Sequence, residues 1–296
     1  MNVWIAGARP RTLGAGVVPV LVGAAAADTF IAWRFLAASG VALGLQVGVN
    51  FANDFNDGIR GVDTPDRLGP PRLTSSGVVA PRSVLIASLA CILVAGLAGL
   101  ALAAATTWWL VPIGAVAMVA LWLYSGGPRP YADLGLGELM VFVFFGVMAT
   151  AGSAYVQVET VPAVAWWASV PVGLLAVAIL VANNLRDIPT DSVAGKRTLA
   201  VRLGDARTRV LYRVCVVVAF GAVGLGAMVE ALDEGSGLPP WSLLALGAAA
   251  AAIRPFERVG RAAGRELVPV LVDTARLQVV FGGLLALGLW IAEVTA

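Results

Sequence analysis

Histidine is absent from these 296 residues, cysteine occurs only twice, and charged residues make up just 13% of the chain. Without imidazole there is no histidine acid–base chemistry, no His-ligated zinc and no His-ligated haem. Cys91 and Cys215 each sit inside an apolar run. Two isolated thiols of that kind read as small core residues, which leaves neither a disulfide framework nor a thiolate metal site. The charged fraction is about half that of an ordinary globular chain, whereas 59% of the residues are hydrophobic and the mean hydropathy is +0.87. Apolar stretches recur from Leu13 to Ala296, which excludes a soluble protein and equally a soluble enzyme on one anchor. The expected fold is an all-α polytopic membrane protein, a single domain over residues 1–296. The formal charge of +2 is small, and no nucleic-acid partner is expected.

A transmembrane helix needs about 20 largely apolar residues. Nine segments approach that length, at about 12–28, 32–52, 84–105, 107–124, 136–157, 162–183, 210–231, 238–254 and 276–294. The third and fourth are separated by little more than Thr106 and Thr107, and the eighth is short enough to tilt or to thin the bilayer locally. The first apolar stretch follows Arg9, Pro10 and Arg11 and lacks the short apolar core and small-residue pattern of a cleavable signal.

Basic residues test this division independently, because cytoplasmic loops collect Lys and Arg. With the N-terminus inside, nineteen of the twenty basic residues fall in cytoplasmic segments and Arg34 alone falls outside. A helix miscounted early in the chain would swap the sides of every later loop. The expectation is therefore an odd number of spans in a plasma membrane, with the N-terminus cytoplasmic and the C-terminus outside. The long connections Asn53–Ser83, Asn184–Arg209 and Arg254–Ala275 are all cytoplasmic on this reading, so the working face lies there, under a cap of loops.

The second span runs directly into Asn50-Phe-Ala-Asn53-Asp54-Phe-Asn-Asp57-Gly58-Ile-Arg60-Gly61-Val-Asp63. If the helix continues, Asn50, Asp54 and Asp57 share a face at i, i+4 and i+7, Gly58 and Gly61 end it, and the turning chain brings Asp63 back. The sixth span ends in Asn183-Asn184-Leu-Arg186-Asp187-Ile-Pro189-Thr-Asp191, followed by Gly195-Lys196-Arg197. Asp187 and Asp191 are again i and i+4, with Pro189 between them able to end the helix. Matching Asn-then-Asp clusters four spans apart point to an internal duplication and to one shared site. Carboxylates gathered at the mouth of an apolar bundle need cations to stay ionised together. With no histidine or thiolate on hand, an all-oxygen site suits Mg²⁺ or Mn²⁺, which share their coordination with substrate phosphates. Together with Arg186, Lys196 and Arg197 the clusters describe a metal-bridged diphosphate site. The blander reading, acids solvated beside loop arginines, is preferred for Asp66, Asp133, Asp205, Glu257 and Glu266. Arg202, Arg207, Arg209 and Arg213 read as topology determinants, and of the tyrosines only Tyr124, in Tyr-Ser-Gly-Gly-Pro, is favoured over an interfacial belt role.

At this point the chain resembles the UbiA superfamily of intramembrane aromatic prenyltransferases. The resemblance covers nearly its whole length. Asn53-Asp54-Phe-Asn-Asp57 matches the first family motif, while Gly61 stands at the last acidic position and Asp63 follows, a Gly-x-Asp arrangement similar to the menaquinone branch. Also similar to that branch are Ala8-Arg9-Pro10-Arg11-Thr12-Leu13, Tyr124-Ser-Gly-Gly-Pro128, Gly135-Leu-Gly137-Glu138 and Asn183-Asn184-Leu-Arg186-Asp187 running on to Gly195-Lys196-Arg197-Thr198-Leu199. The resemblance implies nine helices around a central cavity, with the isoprenoid tail leaving sideways into membrane lipid. It implies that Asn50, Asp54, Asp57, Asp187 and Asp191 hold Mg²⁺, with two ions the expected number. Arg11, Asn50, Asn53, Asp63, Tyr124, Asn183, Asn184, Arg186, Lys196 and Arg197 would bind substrate. Polyprenyl diphosphate would be the donor and 1,4-dihydroxy-2-naphthoate the acceptor.

Two readings from other classes stand beside it. Intramembrane acids also mark cation-coupled transporters, although here they lie at one membrane face. The Asp54-x-x-Asp57-Gly58 run also begins like a phosphatidyltransferase motif, but Gly61-Val62 breaks the continuation. Within the prenyltransferases, 4-hydroxybenzoate and homogentisate remain alternative acceptors.

Overall fold

The computed structural model describes residues 2–61 and 72–295. Asp63, Asp66 and Arg67 lie outside the described residues. Among those described there is no strand. The helices in chain order are α1 (Val3–Ala8), α2 (Gly14–Ala25), α3 (Ala32–Ile59), α4 (Pro81–Ala105), α5 (Leu110–Ser125), α6 (Gly137–Val141), α7 (Ala149–Val158), α8 (Ala163–Val193), α9 (Leu199–Leu232), α10 (Ala249–Arg258) and α11 (Leu267–Thr295). A π-helical stretch, Phe142–Met148, joins α6 to α7, and a 3-10 run, Pro240–Ala248, leads into α10.

Six helical stretches among the described residues are long and apolar enough to cross a membrane: α3, α4, the α6–α7 rod, α8, α9 and α11 with its leading turn. Helix α2 has 12 residues and α5 has 16. At 1.5 Å per residue these reach about 18 and 24 Å, short of a hydrocarbon core about 30 Å thick. Helix α9 is interrupted at Gly204 (φ 75°, ψ 171°), a left-handed residue that divides a short leading segment from the long apolar remainder.

The two helices that carry the acidic motifs overrun their expected ends. Helix α3 has 28 residues and α8 has 31, or about 42 and 46 Å, so they exceed a hydrocarbon core of about 30 Å by about two and three turns. Pro189 does not terminate α8. It sits on an exposed side of the last turns, and the helix continues to Val193.

Helix α8 is the axis of the bundle, with 67% of its apolar window buried, and it packs on α9, α11 and the π stretch. Helix α4 is the contrasting case: Leu89, Leu93, Leu97 and Leu100 are exposed and share one face at helical spacing, as a surface turned toward lipid should. The π stretch lies against α8 through two glycines. A Cβ on Gly146 would stand 2.6 Å from Gly173 Cα, so only the missing side chains allow this approach. Association inside a bilayer relies on such close backbone packing, because apolar burial gives helices no preference for each other over lipid.

Hydrogen bonds sort the helix ends into two faces. At one, Arg34 donates to the carbonyls of Val156 (2.9 Å) and Ala105 (3.1 Å), and Gln157 Oε1 accepts from Ile31 N (2.6 Å). These bonds gather the start of α3 and the ends of α4 and α7, with Arg34 satisfying carbonyls that the helices leave unpaired. At the other face, Arg60 at the end of α3 donates to the Ser125 carbonyl (3.1 Å) and to Asp133 (2.8 Å).

Candidate active site

The end of α3 is held by polar contacts made by its own motif. Asp54, 2% exposed, accepts from Leu73 N at Oδ2 and Thr74 N at Oδ1, each at 2.8 Å. Its carboxylate thereby fixes the returning loop against the helix. Gly58 permits that contact, since a Cβ there would collide with the Thr74 side chain. Asn53 Oδ1 accepts from Ser125 Oγ (2.6 Å), which accepts in turn from Asn56 Nδ2 (3.2 Å), tying α3 to the end of α5. Asn50 Nδ2 donates to the Ala8 carbonyl (3.1 Å) and so secures α1.

Asp57 faces the second motif. Its Oδ2 lies 3.1 Å from Lys196 Nζ and 3.5 Å from Arg72 Nη2. Its Oδ1 is buried and has no hydrogen-bond partner among the described residues. Gly195 (φ 74°) turns the chain after α8, and Lys196 N closes the turn on the Asp191 carbonyl at 2.9 Å. On α8, Arg186 grips Asp187 through Nε (2.7 Å) and Nη2 (2.6 Å) and also reaches Asn183 Oδ1 (2.9 Å). Such a two-pronged pair is geometrically specific and stronger than a neutral hydrogen bond.

These ends border a cavity of about 580 Å³. Its polar end presents four guanidinium groups, Arg9, Arg11, Arg72 and Arg186, with the amides of Asn50, Asn53 and Asn183 and the rings of Tyr124 and Tyr131. The rest is apolar, with Leu121, Met140, Phe144, Phe145, Leu180 and Leu271 among its walls. No carboxylate lines it among the described residues. The acids stand behind the arginines and hold them or the loops in place. The outcome is a cationic mouth over an apolar chamber, suited to a ligand with a multiply charged anionic head and a hydrocarbon body.

Of the expected residues, Arg11, Asn50, Asn53, Tyr124, Asn183 and Arg186 line this cavity. Asp54, Asp57, Asp187 and Lys196 form the ion-paired and hydrogen-bonded layer around it. Asn184 is turned toward α6, donating to the buried Glu138 at 2.9 Å. Asp191 is half-buried at the end of α8 and does not line the cavity, and Arg197 is exposed and outside it. Sequence reasoning gave no separate site role to Arg9, Arg72, Tyr131 or Glu138. Tyr131, one of the tyrosines whose sequence context suggests an interfacial belt, packs edge-on against Tyr124 with ring centroids 5.5 Å apart at the same mouth. Burial pushes the Tyr131 phenol up to about 12, which keeps it a neutral hydrogen-bonding group. Asp133 and Asp205 pair with Arg60 (2.8 Å) and Arg209 (2.6 Å) as loop acids.

A divalent cation at this site would draw its protein ligands from the oxygen side chains of these residues. Among those described, no three acidic or thiol side chains converge closely enough to hold an ion by themselves. Asp57 does fit one, because a buried carboxylate oxygen without a partner is costly and marks a place for a cation or water. Mg²⁺ in particular asks for only one or two protein carboxylates when phosphates complete its shell.

Residues 16–267 match the UbiA prenyltransferase family. The chain is 47% identical to 1,4-dihydroxy-2-naphthoate octaprenyltransferase of Mycobacterium tuberculosis, covering 96% of this chain and 97% of the other. In fold it is similar to a UbiA homolog from Aeropyrum pernix K1, with a TM-score of 0.69 at 16% identity, over 94% of this chain and 97% of that one. It is also similar to a UbiA homolog from Archaeoglobus fulgidus bound to GPP and Mg2+, with a TM-score of 0.62 at 14% identity, over 95% and 99% of the two chains. The multi-pass helical fold, the family motifs and the full-length match agree: the chain belongs to the UbiA prenyltransferase family.

Proposed function

We propose that this protein transfers a polyprenyl group from polyprenyl diphosphate to 1,4-dihydroxy-2-naphthoate, releasing diphosphate and CO₂ and forming a demethylmenaquinol-type product. The observation that carries this reading is the cavity with four arginines at its mouth and hydrocarbon walls beneath them. The acceptor is chosen on the 47% identity to an enzyme named for that ring.

The donor's diphosphate seats among Arg9, Arg11, Arg72 and Arg186, whose planar donors match phosphate oxygens. As the allylic C–O bond breaks, negative charge grows on the departing diphosphate. Preorganised cations at that point lower the barrier, the kind of electrostatic contribution that is usually the largest in catalysis. A divalent cation, which the A. fulgidus homolog binds as Mg2+, would add to this neutralisation. Asp57 would hold it, with Asn50, Asp54, Asp187 and Asp191 supporting the ion directly or through water, and Mn²⁺ is chemically suited as well. The apolar chamber keeps water from the allylic cation. The electron-rich ring carbon that bears the carboxylate attacks the cation. The C–C bond to the carboxylate then breaks, its electron pair restores the ring, and CO₂ leaves. No nucleophilic side chain takes part.

The same reading places nine spans in a bacterial plasma membrane, with α2, α5 and the Pro240–Arg258 stretch completing the six long ones. The arginine mouth then lies on the cytoplasmic side under loops, with the N-terminus inside and the C-terminus outside, as the distribution of basic residues supports. Membranes containing the protein, given labelled polyprenyl diphosphate and a panel of aromatic acceptors, should prenylate 1,4-dihydroxy-2-naphthoate. Exclusive use of 4-hydroxybenzoate or homogentisate would contradict the assignment.

A further inference from the structure

Gln46 is an amide set in the apolar part of the cavity wall. It lies on α3 four residues before Asn50, about 6 Å further from the arginine mouth at 1.5 Å per residue. It is 8% exposed. The other amides of the same cavity end on α3 are engaged: Asn50 donates to the Ala8 carbonyl and Asn53 accepts from Ser125. Among the described residues Gln46 makes no hydrogen bond, although it is buried and lines the cavity. Across α2 its neighbourhood is small and tight, with a Cβ on Gly16 meeting Gln46 Cβ at 3.5 Å. Beyond that, Ala15, Ile179 and Leu271 form an apolar cluster on the same cavity.

We propose that Gln46 is an acceptor-binding residue, its amide hydrogen-bonding a ring hydroxyl of the aromatic acceptor. This rests on the function proposed above. A prenyl tail seated against Gln46 would strip water from the amide and return no hydrogen bond, an unfavourable exchange in an apolar site. The acceptor is the substrate that brings hydroxyl groups to this depth. Its reacting carbon must lie within about 3 to 3.5 Å of the allylic carbon, which is itself one bond from the diphosphate at the arginine mouth. The far side of the ring then falls about one helical turn deeper, where Gln46 stands. A hydroxyl held there orients the ring and favours hydroxylated naphthoates over bare ones, because a polar site rejects a ligand that leaves it unpaired.

The test compares wild-type protein with Gln46→Leu and with the isostere Gln46→Met, all in native membranes. Both variants should raise the KM for 1,4-dihydroxy-2-naphthoate about tenfold, the factor that corresponds to ~1.4 kcal/mol, while the KM for polyprenyl diphosphate stays within about twofold. Inhibition by 2-naphthoate, which has no hydroxyl to lose, should be the same in all three proteins, a result that general distortion of the cavity would not give. The inference is overturned if the acceptor KM does not change. It is equally overturned if both substrates and 2-naphthoate weaken in step. Wild-type membranes that do not turn over the naphthoate at all would overturn the proposed function and this inference with it, whereas turnover with an unmoved KM in both variants overturns the inference alone.

Discussion

Lys196 Nζ lies 3.1 Å from Asp57 Oδ2, so the loop after α8 closes on the end of α3 and the two motifs become one site. Asp57→Asn removes the charge that holds both Lys196 and Arg72 and should lower kcat by about 10²-fold, the usual size of losing a well-placed electrostatic group. Lys196→Met should also lower it, by about tenfold or more. Asp205→Asn is the control: that acid is 59% exposed beside Arg209, and an exposed pair contributes little. Steady-state rates of the three variants in membranes decide the point, and an unaffected Asp57→Asn would remove this residue from the site.

The arginine mouth makes a separate prediction. Arg11 lines the cavity and has no ion pair among the described residues, so Arg11→Gln should act on ligand binding with little cost to folding. The KM for polyprenyl diphosphate should rise about tenfold, and added salt should weaken donor binding in the wild type more than in the variant. Kinetics at two ionic strengths would show this.

Much of this arrangement was legible in the sequence. The helices follow from long apolar runs, and the placement of Asn50, Asp54 and Asp57 along α3 follows from their spacing. What could not be read is how loops deliver residues to the cavity. Arg72 looks like one more basic residue of an inside loop, and it reaches Asp57 because Asp54 binds Leu73 N and Thr74 N and fixes the loop's return. Lys196 and Arg197 are neighbours in a motif, yet after the Gly195 turn one meets Asp57 and the other is exposed. The π stretch has no sequence periodicity of its own. It depends on the Gly146–Gly173 approach between two helices, which only the packed bundle defines.

That approach is itself testable. Gly146→Leu should lower the thermal unfolding midpoint in detergent, since overpacking typically costs ~1 to 3 kcal/mol and here the obstruction is backbone. Gly152→Ala, where a Cβ meets nothing within 4 Å, should leave the midpoint unchanged. Equal midpoints for the two variants would mean that α6–α7 does not pack on α8 as described.

Topology can be read with single cysteines in a background lacking Cys91 and Cys215. Ser75 and Glu234 are both exposed, in the loop after α3 and after the end of α9. In intact cells a cysteine at 75 should be protected from an impermeant external thiol reagent and one at 234 labelled. Equal labelling of both would contradict the cytoplasmic placement of the arginine mouth.

The central claim is that an allylic cation formed under the arginine mouth is captured at the carboxylate-bearing carbon of a naphthoate. Its most direct measurement uses acceptor labelled in the carboxyl group and counts labelled CO₂ against prenylated product in membranes supplied with Mg²⁺. One CO₂ released for each prenyl group transferred, with both lost when excess EDTA removes the metal, is the expected result. Prenylated naphthoate that keeps its labelled carboxylate, or full turnover under chelation, would contradict the account.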